Sequence, residues 1–295
     1  MIPIRPRRSV LYMPGSNARA MEKARTLPAD AIILDLEDAV APDAKDTARR
    51  QVCAAVREGG YGGREVIIRV NGLDTPWGEA DLAAAAEAGP DAILVPKVSS
   101  PETLAVVGSR LRRLGTPQRT RVWAMIETPL AILNAAAIAS AAADVDSRLA
   151  CFVMGTNDLA KETRAQLVPG RAPMLPWLMT ALAAARAYDL DVLDGVYNGL
   201  SDEAGLRAEC AQGRELGFDG KTLIHPNQIA PANEAFAPDA DEIARSRAII
   251  AAFDKPENAG RGAISLDGRM VERMHADMAR RVVALAEAIE ARATR

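Results

Sequence analysis

The chain reads as an α/β protein, a (β/α)8 TIM barrel carrying a C-terminal helical cap, on three observations. Short apolar runs alternate with longer Ala-rich stretches that carry helix signals. The runs are continuously apolar, as expected of parallel strands buried on both faces. Eight such β-then-α units fall between residues 9 and 235, the number that closes a barrel. An open doubly wound sheet is the competing arrangement, but no GxGxxG follows the first run.

The first run covers 9–15, and Ser16 or Asn17 can cap a helix to about residue 26, because a side-chain oxygen there satisfies an orphan amide. The second run, 31–37, leads to a helix capped by Asp43 and ending near 58. The third, 65–70, precedes a helix over 76–88, and the fourth, 91–97, one over 101–114. The fifth, 121–127, is followed by a helix over 129–142. The sixth, 149–155, opens onto a polar connection over 157–173, with Pro169, Gly170 and Pro173, before a helix near 175–187. The seventh, 190–196, precedes a helix over 202–216, and the eighth, 219–224, one near 226–235.

Residues 1–235 are thus read as the barrel and 236–295 as the extension. The extension holds a helix over 239–253, a Gly-rich link over 257–269 and a last helix over 270–292. In that helix Met274, Met278, Val282, Leu285 and Ile289 recur three to four residues apart, which predicts one buried face. Such a tail can fold over the barrel mouth or dock on a neighbouring subunit.

Composition bounds the function. The 295 residues are 49% hydrophobic, enough for a large core, and no apolar run reaches the roughly 18–20 residues that span a bilayer. The basic start, MIPIRPRRSV, lacks the apolar segment of a secretory leader, so a cytoplasmic location and no membrane association are expected. A net charge of −3 with both signs interspersed gives no nucleic-acid surface. Cys53, Cys151 and Cys210 are too few and too far apart for a disulfide framework or zinc knuckle. Two histidines, His225 and His275, exclude a His-rich metal site.

Barrel chemistry sits at the C-terminal strand ends. These ends supply Pro14-Gly15-Ser16, then Asp35, Glu37 and Asp38, then Arg69 and Asn71, Lys97, Glu127, Asn157 and Asp158, Asp194 and Tyr197, and His225. Glu127 and Asp158 belong to neighbouring units, and two carboxylates brought together repel unless one is protonated or a cation lies between them. Hard oxygen ligands without imidazole or thiolate favour Mg2+, or Mn2+; a proton-sharing acid/base pair is the competing reading. Arg69 can grip a carboxylate or a developing enolate with two parallel hydrogen bonds, or pair with Glu37 or Asp38. The first loop, 14–23, combines Pro14 and Gly15, a helix N-terminus, Arg19 and Lys23, a setting that suits a phosphate. Lys97 could be a Schiff-base nucleophile, but the carboxylates would then have no task, and pairing with them is the preferred role.

The segments VLYMPGSNARA (10–20), ILDLEDAV (33–40), RVNG (69–72), MIETP (125–129), VMGTNDLA (153–160) and FDGKTLIHPNQI (218–229) resemble the citrate lyase β-subunit and malyl-CoA lyase family of the HpcH/HpaI aldolase superfamily. The resemblance implies a barrel with a C-terminal cap, assembled as a homotrimer or hexamer. It implies Mg2+ held by Glu127 and Asp158, Arg69 on the oxo-acid or enolate oxygen, and a CoA thioester entering along Pro14, Gly15, Arg19 and Lys23. Glu37, Asp38 and Lys97 fall around these. A tail acid reaching a neighbouring subunit's site as general acid/base falls on Glu272. That acid is commonly Asp, and the residue before the metal-binding Asp is commonly Glu where this chain has Asn157. Both variants, with GTNDLAKE (155–162) and DGVYNG (194–199), resemble the (3S)-malyl-CoA thioesterase branch. The expected activity is (3S)-malyl-CoA hydrolysis to malate and CoA, C–C cleavage to acetyl-CoA and glyoxylate, or both. Alternatives are a citramalyl-CoA or β-methylmalyl-CoA lyase, a citrate lyase β-subunit with an acyl-carrier partner, and a CoA-binding protein without catalysis.

Overall fold

The computed structural model describes residues 4–293, which form two compact units, one from Arg7 to Phe236 and the other from residues 4–6 with 237–293. In the larger unit eight strands, β1 (Ser9–Pro14), β2 (Ala31–Asp35), β3 (Glu65–Arg69), β4 (Ala92–Val95), β5 (Arg121–Ile126), β6 (Leu149–Met154), β7 (Asp191–Asp194) and β8 (Gly220–Leu223), close into a barrel in sequence order. Every neighbouring pair is parallel, and β1 closes on β8 with Val10 opposite Thr222. The barrel helices are α1 (Ala18–Ala24), α2 (Lys45–Glu58), α3 (Gly78–Ala88), α4 (Pro101–Arg113), α5 (Pro129–Leu133), α6 (Ala135–Ser140), α7 (Thr156–Thr163), α8 (Leu175–Ala187), α9 (Glu203–Leu216) and α10 (Ile229–Ala235).

The period of two along each strand sorts the core into two layers. Val10, Ala31, Ile33, Ile67, Trp123 and Leu193 fill the barrel interior. Leu11, Ile32, Leu34, Ile68 and Val192 face the other way, onto the helices.

Several local expectations are corrected. Asn17 does cap α1, accepting from Ala20 N at 3.0 Å. Asp43, by contrast, lies in a 3-10 turn over Pro42–Ala44 and caps nothing, because α2 starts at Lys45 with its cap at Ala44. The helix expected over 129–142 is broken at Asn134, whose amide donates to Ser99 O. The polar connection after β6 begins with helix α7.

The smaller unit holds α11 (Ala240–Phe253), a two-stranded hairpin of β9 (Ala263–Leu266) and β10 (Arg269–Glu272), and α12 (Arg273–Ala293). The Gly-rich link is therefore partly strand. Its turn, Asp267-Gly268, has φ of 49° and 73°, the two positive values of a type I′ hairpin turn. The predicted buried face of the last helix is also corrected. Met274 and Met278 are 57% and 61% exposed, while Ala276, Ala279 and Ala286 are the buried positions. Small residues let α12 approach α11 closely, and this turns the methionines outward.

Candidate active site

A cavity of about 310 Å³ opens at the C-terminal ends of the strands, with Tyr12, Asp35, Arg69, Glu127, Asp158 and Thr222 in its wall. Strand parity explains the choice. Tyr12 continues the inward register of Val10, Asp35 that of Ile33, and Arg69 that of Ile67.

Arg69 is buried and almost fully committed. Its Nε and Nη2 donate to Asp35 Oδ1 and Oδ2, both at 2.6 Å. Its Nη1 is 2.7 Å from Glu37 Oε2 and 3.4 Å from Asp38 Oδ2. Its guanidinium lies over the Tyr12 ring, 4.9 Å from the centroid. Burial opposes the Asp35 charge, but Arg69 and the N–H groups of Glu37 and Ala39 outweigh it and hold the Asp35 pKa below the usual carboxylate range.

Glu127 is 1% exposed. Its Oε1 accepts from Lys97 N at 2.7 Å. Lys97 reaches this position with φ of 51°, in the left-handed region that lysine seldom adopts. Its ammonium lies 3.9 Å from Glu37 Oε1. On the other side, a Cβ on Gly155 would come 2.3 Å from Glu127 Cβ and 2.5 Å from Oε2, so only glycine lets the β6 end approach. Burial pushes the Glu127 carboxyl up to about 8, with the Glu37 charge adding to it. Burial also pushes Glu37 up to about 7, against the opposing pull of Arg69.

Asp158 sits in the first turn of α7, following Gly155, Thr156 and Asn157, and all four line the cavity. That turn has no side-chain cap, so its free amides and positive helix end suit an anionic group. Asn157 exchanges amide hydrogen bonds with Asn198 at the rim.

The donor set fits a hard divalent cation. Two carboxylates, Glu127 and Asp158, line one cavity, and the charge on Glu127 is disfavoured unless a cation offsets it. Among the described residues no group of three or more His, Cys, Asp or Glu is set to hold a metal. A two-carboxylate site leaves the other positions to water and substrate, as magnesium sites do.

Other predicted residues lie elsewhere. Gly15 is buried, its N–H donating to Asp35 O at 2.8 Å, and a Cβ there would meet that oxygen at 2.5 Å. Arg19 and Lys23 are exposed on α1 and do not line the cavity. Glu272 is half-buried in β10 of the smaller unit, its N–H donating to His275 Nδ1 at 2.9 Å. Three groups counted among the converging strand ends have structural partners instead. Asp194 has outward parity and is fully buried between Arg171, at 2.7 Å, and Lys221, at 3.1 Å. Tyr197 donates to Asp202, and His225 Nδ1 accepts from Asn227 N. The sequence places Asp35 among the converging strand ends but gives it no role, and it leaves Tyr12 out, although strand parity with Ile33 and Val10 points both inward.

The HpcH/HpaI aldolase/citrate lyase family model matches residues 8–226. The chain belongs to this family. It is 52% identical over 286 residues to a (3S)-malyl-CoA thioesterase of Cereibacter sphaeroides, covering 97% of this chain and 96% of that one. It is 36% identical over 288 residues to citrate lyase subunit beta of Escherichia coli, covering 96% and 94%. The structure of CitE from Mycobacterium tuberculosis in complex with magnesium, acetoacetate and coenzyme A superposes with a TM-score of 0.75 at 27% identity, covering 96% of this chain and 98% of that one.

Proposed function

We propose that this family member is a Mg2+-dependent CoA-ester enzyme that acts on malyl-CoA-type 3-hydroxyacyl-CoA thioesters and hydrolyses (3S)-malyl-CoA to malate and CoA. The observation that carries this reading is the meeting of Arg69, Glu127 and Asp158 on one cavity, in a chain 52% identical to a (3S)-malyl-CoA thioesterase.

In this reading Glu127 and Asp158 hold the metal, which supplies Lewis-acid polarisation of substrate oxygens when bound. Mn2+ fits the same oxygen ligands. The uncapped first turn of α7 receives the terminal carboxylate. Arg69, its direction fixed by Asp35, offsets negative charge on the reacting acyl group. Glu37, Asp38 and Lys97 set the local charge. Glu272 removes a proton from the attacking water. CoA runs outward past Pro14 and Gly15, its phosphates toward Arg19 and Lys23.

C–C cleavage to acetyl-CoA and glyoxylate is the second reading, favoured by the 36% identity to citrate lyase subunit beta over nearly the whole chain. There the 3-hydroxyl proton passes to water, the C–C bond breaks with its pair becoming the enolate, and Glu272 protonates the enolate carbon.

The oligomer belongs to the proposal as well. Met270, Met274 and Met278 are 73%, 57% and 61% exposed on the smaller unit, an apolar surface that suits a neighbouring copy in a homotrimer or hexamer. No helix among the described residues is long and apolar enough to cross a membrane, and a cytoplasmic setting fits the proposed substrate.

The test is purified protein with (3S)-malyl-CoA and magnesium, with glyoxylate, acetyl-CoA and free CoA measured separately. Free CoA without glyoxylate supports hydrolysis. Equal glyoxylate and acetyl-CoA support cleavage. No turnover of malyl-CoA or citramalyl-CoA overturns both.

A further inference from the structure

We infer that the Tyr12 hydroxyl donates a hydrogen bond to the thioester carbonyl oxygen of the substrate, an inference that rests on the CoA-ester reading above. Three observations lead there. First, Tyr12 lies in the C-terminal half of β1, its ring packed on the inner barrel core, and it lines the same cavity as Arg69, Glu127 and Asp158. Second, its hydroxyl has no hydrogen-bond partner among the described residues, unlike Tyr197, which donates to Asp202. A phenol in a cavity wall is satisfied by whatever fills the cavity.

Third, Arg69 cannot serve the oxygen alone. Its Nε and Nη2 are taken by Asp35, and its Nη1 sits against Glu37 and Asp38. The uncommitted donor beside it is the phenol beneath its own guanidinium, whose ring centroid is 4.9 Å away. Burial, against the opposing pull of Arg69 and with Asp35, Glu127 and Glu37 adding to it, pushes the phenol's ionisation above the ordinary range, which favours the neutral, donating form.

Both outcomes of the proposed reaction place negative charge on that oxygen. In hydrolysis, water oxygen bonds to the carbonyl carbon and the C=O pair moves to oxygen. Collapse then breaks the C–S bond, and the pair leaves with the CoA sulfur. One proton of the water ends on the thiol and the other is released with ionised malate. In C–C cleavage the same oxygen becomes the enolate oxygen. A fixed donor aimed there stabilises either state more than the neutral thioester.

The experiment is Tyr12→Phe, which keeps the ring, the core packing and the stack under Arg69 and removes only the hydroxyl. Steady-state kinetics with (3S)-malyl-CoA and magnesium should give kcat lower by roughly 10²-fold with KM within about threefold. Thermal midpoint and CoA affinity should match wild type. An active wild type whose kcat is matched by Tyr12→Phe sinks the inference alone, as does a raised KM at unchanged kcat, which is the mark of a ground-state contact. A wild type without turnover sinks the CoA-ester reading, and the inference falls with it. A variant that loses its thermal midpoint makes Tyr12 a packing residue and also overturns it.

Discussion

Asp35 holds Arg69 in a parallel fork, Oδ1 to Nε and Oδ2 to Nη2, each 2.6 Å long and both side chains buried. The geometry fixes the guanidinium plane as well as its charge, which a single contact to a lysine would not do. Asp35→Asn keeps the shape and removes the charge, leaving a buried cation short of its main partner. The expected loss is about 3 kcal/mol of stability, read as a lower urea midpoint at unchanged slope. A midpoint equal to wild type would mean that Glu37 and Asp38 suffice to hold Arg69.

Glu37 gives a pH prediction. Its carboxyl rises from 4.5 to about 7 on folding, first through burial, so the folded chain holds a proton there that the unfolded chain releases. The stability linked to this group is present below pH 4.5 and is lost as pH rises to about 7. Glu37→Gln has no such loss. Its stability relative to wild type should therefore improve between these limits, by on the order of 1–3 kcal/mol, and stay level above them. Parallel melting curves of the metal-free proteins from pH 4 to 8 would check this.

The barrel was legible because continuous apolar runs and helix signals alternate eight times, and no single element decides the count. The candidate site was legible where charge ends a strand, as at Arg69 and Glu127, which line one cavity. It was misread where parity was not applied. Asp194 ends β7 in the outward register of Val192 and belongs to an ion cluster, whereas Asp35 ends β2 in the inward register of Ile33. The β9–β10 hairpin had a readable signal in Asp267-Gly268, but strands of four residues carry little pattern. The outward turn of Met274 and Met278 was not legible. Helical spacing identifies an apolar stripe, but not whether that stripe or the alanines beside it meets the neighbouring helix.

Gly155 tests the metal assignment without touching a carboxylate. A Cβ there would lie 2.5 Å from Glu127 Oε2, and the backbone cannot retreat without moving Asp158 three residues on. Gly155→Ala should cost about 1–3 kcal/mol of stability and weaken magnesium binding by an order of magnitude or more, measured by calorimetry. Glu127→Ala should abolish that binding. Normal magnesium affinity in both variants would remove Glu127 from the site.

Lys97 separates backbone from side chain. Its N–H, aimed by φ of 51°, orients Glu127, and glycine adopts that angle without strain. Lys97→Gly should keep magnesium affinity within about twofold, because the N–H to Glu127 remains, and should leave stability nearly level, because relief of left-handed strain and the added freedom of the unfolded chain nearly cancel. Lys97→Pro has no N–H and cannot take the positive φ, so its magnesium affinity should fall steeply. Equal affinities in the two variants would show that the N–H is irrelevant to the site.

Glu272 carries the last prediction, because it belongs to the smaller unit while the proposed metal ligands belong to the barrel. Glu272→Gln should lower kcat by roughly 10²–10⁴-fold yet leave magnesium binding intact, since no metal ligand is altered. If Glu272 completes the site of a neighbouring copy, two inactive variants should rescue each other. Arg69→Ala lacks the barrel group and Glu272→Gln the tail acid, so a mixed oligomer contains some sites in which both are wild type. Activity should then appear on mixing, after subunit exchange, although each variant alone is inactive. If the tail acid serves its own chain, every site in the mixture lacks one group and no activity returns.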